Sequence, residues 1–120
     1  MNQDFKADAG KWQTLIPKEC YEDFVNKTGS VYIDLAMEYM EYFGLKLSDV
    51  FSRIEKVLEF GAKKYEPHSW QRVEPYRYYY SLRRHEREIY GGEDKESGLP
   101  HLDHFFCNCM FLHWFEYYDN

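Results

Sequence analysis

The stretch PHLDHFFCNCMFLHWFEYY, residues 100–118, is apolar on almost every side when wound as a helix, and Pro100 stands where a helix opens. It predicts a final helix running to about Tyr118. Upstream of it, GGEDKESG at 91–98 reads as a polar loop, and Tyr76 to Tyr90 as a helix closed by Gly91 and Gly92. Before that comes a loop with Pro67 and Pro75. Another helix spans about 49–64, with Ser48 as its N-cap and Val50, Ile54, Val57, Leu58, Gly61 and Tyr65 on one face. Apolar residues also recur at helical spacing from Val31 to Phe43, with Gly44 as the stop. Residues 1 to about 29 read as an irregular arm punctuated by Gly10, Pro17 and Gly29, whose apolar patch from Trp12 to Ile16 docks on the body. With no alternating strand pattern, the expectation is an all-α compact bundle of about four helices, a single domain over 1–120.

The chain has 120 residues, enough to bury one core without disulfides. Its 44% hydrophobic content excludes compositional disorder. No apolar run approaches the roughly 20 residues of a membrane span, and MNQDFKADAGK lacks the apolar core of a signal peptide, so no membrane partner is expected and the working place is a cytoplasm. Three cysteines suit reduced thiols there. A net charge of -6 argues against an extended nucleic acid as partner and leaves room for a local basic pocket for a small anion.

On the last helix His101, His104 and Asn108 stand at i, i+3 and i+7, one stripe at about 100 degrees per residue, continued by Phe105, Leu112 and Phe115. They therefore point inward, as ligands, as phosphate contacts or as hydrogen-bonded core histidines, and spacing leaves these open. Asp103 projects to nearly the opposite side. His85 shares an inward face with Tyr78, Ser81, Leu82, Glu88 and Ile89. His85, Glu88, His101 and His104 are the candidate metal ligands, against a plain i, i+4 ion pair of Glu88 with Arg84. Nitrogen and carboxylate donors together suit Mn, Fe, Ni or Zn, whereas Mg asks for mainly oxygen.

Glu55, Glu59 and Lys63 line up as a solvated, salt-bridged face, and Asp34, Glu38 and Glu41 as an acidic stripe facing solvent, although the ExxE pair Glu38 and Glu41 could also hold a cation. Cys107 and Cys109 diverge by about 160 degrees on a helix, so they are core thiols rather than a clamp. The basic residues Lys63, Lys64, Arg72, Arg77, Arg83 and Arg84 cluster near Tyr65 and Trp70, a pattern suited to a nucleotide's phosphates and base.

The series GAKKY at 61–65, Ser69 and Trp70, Arg84 and His85, Gly92 to Asp94 and SGLPHLDHFFCN at 97–108 resembles the phage dATP/dGTP diphosphohydrolase N-terminal family, of the MazZ type. KADAGKWQTLIP at 6–17 is similar to that family's opening elements. Against the family, residues from about 26 to 48 look inserted, the GGEDKESG loop is short, and ExxE is not followed by ExxD.

The resemblance implies an all-α, MazG-like pyrophosphohydrolase, an acid anhydride hydrolase that cuts a purine deoxynucleoside triphosphate, dGTP or dATP, to monophosphate and pyrophosphate with a divalent metal, Mg or Mn. By the same resemblance Glu93, Asp94 and His101 are catalytic, Lys64, Tyr65, Trp70, Arg84 and Asn108 bind substrate, and the chain forms a homo-oligomer. The alternative expectation is a non-catalytic phage protein that sequesters a nucleotide or a nucleotide signal of host defence. A third is a purely structural aromatic bundle.

Overall fold

In the computed structural model, residues 14–27 and 29–119 are described. Five α-helices follow one another, α1 Lys18–Asn26, α2 Val31–Tyr42, α3 Leu47–Lys64, α4 Pro75–Arg87 and α5 His101–Tyr117, with a 3₁₀ turn at Ser69–Arg72 between α3 and α4. Among the described residues no strand forms, and an isolated antiparallel bridge joins Glu93 to Pro100.

The all-round apolar sequence of α5 has its structural counterpart in its position. It is the hub on which α2, α3 and α4 all pack, with α1 touching it as well. From His101 to His113 every residue but His104 is buried. Phe105, Phe106, Met110, Ile54, Ile33, Leu82 and Phe24 form the centre of the core. Cys20, Cys107 and Cys109 are buried free thiols whose pKa values burial pushes up, so they are inert packing groups, as expected for the latter two.

Local signals explain most helix ends. The Ser30 hydroxyl accepts from the N–H groups of Tyr32 and Ile33 at 3.1 and 3.2 Å and starts α2. Gly44, at φ +67, ends it in a Schellman arrangement, with Gly44 N–H on the Glu41 carbonyl and Leu45 N–H on that of Met40. The segment 26–48, expected as an insertion, is therefore largely α2, which places Ile33 and Ala36 in the core. Asp34, Glu38 and Glu41 face solvent, as expected.

Four expectations are corrected. Part of the arm is helical. Pro17 stands just before α1 rather than breaking the chain, and Cys20 and Phe24, one turn apart, are the buried residues of this nine-residue helix. Within the expected apolar patch Ile16 is buried, while Trp12 lies outside the described residues. Helix α3 begins at Leu47, so Ser48 sits in its first turn, and the capping contact is Lys46 N–H to Asp49 Oδ2 at 3.1 Å. Helix α4 ends at Arg87, freeing Tyr90 to bond the Tyr42 hydroxyl at 3.0 Å. Glu55 is half-buried rather than on a solvated face, and it accepts the Leu15 N–H at 3.2 Å.

Candidate active site

The end of α4, the loop 92–100 and the start of α5 converge. Gly92 and Gly98, at φ +94 and +73, let the loop turn back on itself, with Asp94 N–H on the Leu99 carbonyl and Gly98 N–H on that of Asp94. Within it the Asp94 carboxylate accepts from Glu96 N–H at 3.1 Å, Ser97 N–H at 3.0 Å and the Ser97 hydroxyl at 3.2 Å. Burial alone would raise this carboxyl. The Ser97 hydrogen bonds and the charge of His104 outweigh it and hold Asp94 below its ordinary pKa.

His85 is buried and its Nδ1 lies 2.8 Å from His101 Nδ1. His104 stacks on His85 at 4.6 Å and 12°, and its Nε2 lies 2.7 Å from the Ser97 hydroxyl and 3.9 Å from Asp94. Burial, reinforced by the charges of His104, Arg84 and His101, pushes the His85 pKa from 6.5 down to about 4, so its ring is neutral near pH 7. Burial also lowers His104, against the pull of Asp94 and Asp103.

The hydrogen bonds around a neutral His85 assign its tautomer. Arg84 Nη2, which can only donate, lies 3.2 Å from His85 Nε2, so that nitrogen accepts. The His85 proton is then on Nδ1 and is donated to His101 Nδ1. His101 in turn presents its Nε2 to Glu88 Oε1 at 3.5 Å. Among the described residues the competing ion pair of Arg84 with Glu88 does not form, and Glu88 lies beside His101 instead.

His85, Asp94 and His101 bring one donor atom each within 4.8 Å of one another. Two ring nitrogens at right angles on one octahedral ion at about 2.1 Å are about 3.0 Å apart, near the 2.8 Å between the two Nδ1 atoms, whereas tetrahedral zinc would hold them about 3.4 Å apart. Imidazoles with a carboxylate are a ligand set for Mn, Fe or Zn more than for Mg. The donors therefore fit a divalent metal. Such binding must displace the proton shared by the two Nδ1 atoms.

Beside this cluster opens a cavity of about 790 Å³. Its polar end is lined by Ser81, Arg84, His85, Asp94, His104 and Asn108, and its apolar wall by Val57, Leu58, Trp70, Tyr78 and Phe111. Asn108 Nδ2 donates to the Ser81 hydroxyl at 3.0 Å. Of the sequence candidates, Tyr65 stands exposed at the cavity and Arg84, His85, Asp94, His104 and Asn108 line it.

Others are placed differently. His101 touches His85 without lining the cavity, and Glu88 is exposed beside His101. Glu93 is exposed, its backbone bridged to Pro100. Lys64 is paired with Glu96, and its ammonium lies 5.9 and 5.5 Å from the centroids of the Phe60 and Tyr65 rings. Trp70 is only 7% exposed and stacks on Phe111 at 4.4 Å and 26°. Asp103, excluded by periodicity, pairs with Arg53 at 2.5 Å. Sequence reasoning missed Ser97 and Glu96, although the spacing Asp94-x-x-Ser97 is that of a side chain capping its own turn.

A family model described as dATP/dGTP diphosphohydrolase, N-terminal, matches residues 35–120. The chain belongs to that family. The matched span begins inside α2 and takes in GAKKY, the whole histidine cluster and all of α5, while 6–17 lies upstream of it. No curated protein and no solved structure matches the chain. Among the described residues no helix is long and apolar enough to cross a membrane.

Proposed function

We propose that this protein hydrolyses a purine deoxynucleoside triphosphate, dGTP or dATP, to the monophosphate and pyrophosphate with the help of a divalent metal. The observation that carries the reading is the His85, Asp94 and His101 cluster, two of whose members line the polar end of a cavity with an aromatic wall, inside the span that matches the family.

A bound metal would neutralise phosphate oxygens and lower the pKa of water at the site. The chain's own residues prepare the pocket for that chemistry. Ser97 and the loop amides hold Asp94 ionised and aimed, while burial keeps His85 neutral so that its nitrogen can donate an electron pair. Arg84 places a permanent positive charge at the polar end, where phosphate would lie. Asn108, held by Ser81, offers a further polar contact, and Tyr65 an exposed ring for the base. Lys64 reaches phosphate in this reading by leaving Glu96. The exposed Glu93 side chain has no part in it. The setting is a cytoplasm, where triphosphates and reduced thiols coexist, and the active form is a homo-oligomer.

A second reading is favoured by the carboxylate count. Among the described residues Asp94 is the one carboxylate grouped with the two ring nitrogens, Glu88 stands 3.5 Å from the far nitrogen of His101, and the acids Glu38 and Glu41 face solvent on α2. A pocket so equipped could hold and sequester a nucleotide without cutting it. Incubating the protein and Mn with a panel of deoxynucleoside and ribonucleoside triphosphates, then separating products by chromatography, distinguishes the two. Pyrophosphate from dGTP or dATP is the expected result. Tight binding with intact ligand recovered would establish sequestration, and neither binding nor release would sink both.

A further inference from the structure

Trp70 lines the cavity as a fixed ring. It is 7% exposed, stacks on Phe111 at 4.4 Å, meets Trp114 edge-on at 5.2 Å, and its backbone carbonyl accepts the Tyr78 hydroxyl at 3.2 Å. Its indole N–H is buried without a hydrogen-bond partner among the described residues and has almost no accessible surface, so the ring has no donor to offer a ligand in the cavity.

Position along α5 says what lies at this wall. His104, Asn108 and Phe111 line the cavity at i, i+4 and i+7, so Phe111 and the Trp70 ring on it lie about 10 Å along the helix from His104.

We propose that Trp70 forms, with Phe111, a rigid apolar wall that a purine base packs against without any hydrogen bond from the indole. The inference rests on the purine nucleotide reading above, in which phosphates near Arg84, His85 and Asp94 leave the base extending towards this wall. An apolar wall contacts the ring system that adenine and guanine share and is indifferent to their differing groups at the 6-position.

The test compares Trp70→Ala with the wild-type protein on dGTP and its 7-deaza and 3-deaza analogues with Mn. The variant should raise KM for all three by a similar factor, about tenfold, with kcat within about twofold, while the wild-type protein treats the three nucleotides alike.

Because the variant could fold poorly, ¹⁵N spectra of the tryptophan indoles give a second readout on the wild-type protein: the Trp70 signal should move on adding α,β-methylene dGTP, and equally with the methylene form of either deaza analogue. An unmoved Trp70 signal in the bound complex, or a folded Trp70→Ala variant with unchanged KM, overturns the inference even if dGTP is cleaved. Absence of cleavage with a shifted signal would sink the hydrolase reading and leave this one standing.

Discussion

His85 Nδ1 and His101 Nδ1 face each other at 2.8 Å across the junction of α4 and α5, sixteen residues apart in the chain, and one proton lies between them. That proton separates a hydrogen-bonded core pair from a metal site, because two lone pairs and a nearby carboxylate appear together only when it leaves.

Mn or Zn binding should therefore release about one proton, read by calorimetry in buffers of different ionisation heat. His85→Ala and His101→Ala should each weaken metal binding at least about tenfold and abolish pyrophosphate release. Full metal affinity in both variants would place the metal elsewhere.

Stability should fall in mild acid. The folded pKa of His85 is about 4, below its ordinary 6.5, so the unfolded chain takes up the proton first. Its contribution is complete above pH 6.5 and is lost as pH falls towards 4. The lowered His104 acts in the same direction. Urea midpoints of metal-free protein measured between pH 7.5 and 4.5 should decline, and His85→Asn should flatten that decline.

Asp103 is buried and its charge is met by Arg53 at 2.5 Å. Asp103→Ala strands the half-buried guanidinium and should cost about 3 kcal/mol in urea unfolding. Metal affinity should stay as in wild type, since this carboxylate faces α3. A large loss of metal binding in a folded variant would contradict the placement.

Glu55 has one carboxylate oxygen on Leu15 N–H and the other buried without a partner, and burial raises its pKa. A raised carboxyl favours folding more when protonated, so Glu55→Gln, which keeps an acceptor and removes the charge, should match or exceed wild-type stability at pH 7. Glu55→Ala leaves the Leu15 N–H unpaired and should lose about 1 kcal/mol. Thermal melts of both variants check the sign.

Taken alone, the sequence determined whatever depends on local periodicity and caps. Residues 100–118 carry apolar side chains on every side and so had to be surrounded, which makes α5 the hub. Gly44 and Ser30 mark helix ends through backbone geometry that neighbouring residues specify. The stripe of His101, His104 and Asn108, the exclusion of Asp103, and the family motifs from GAKKY onward were legible in the same way.

Only the tertiary structure decided which groups meet. His85 and Asp94 reach His101 because a loop closes between two helices, and periodicity within a helix carries no information about partners on another. For the same reason Glu55 looked solvated until residues 15 and 16 packed over α3, and the brief helix α1, with its few buried side chains, takes its support from packing against α5. Trp70 likewise looked like a free stacking surface until Phe111 covered one face and burial left the ring 7% exposed.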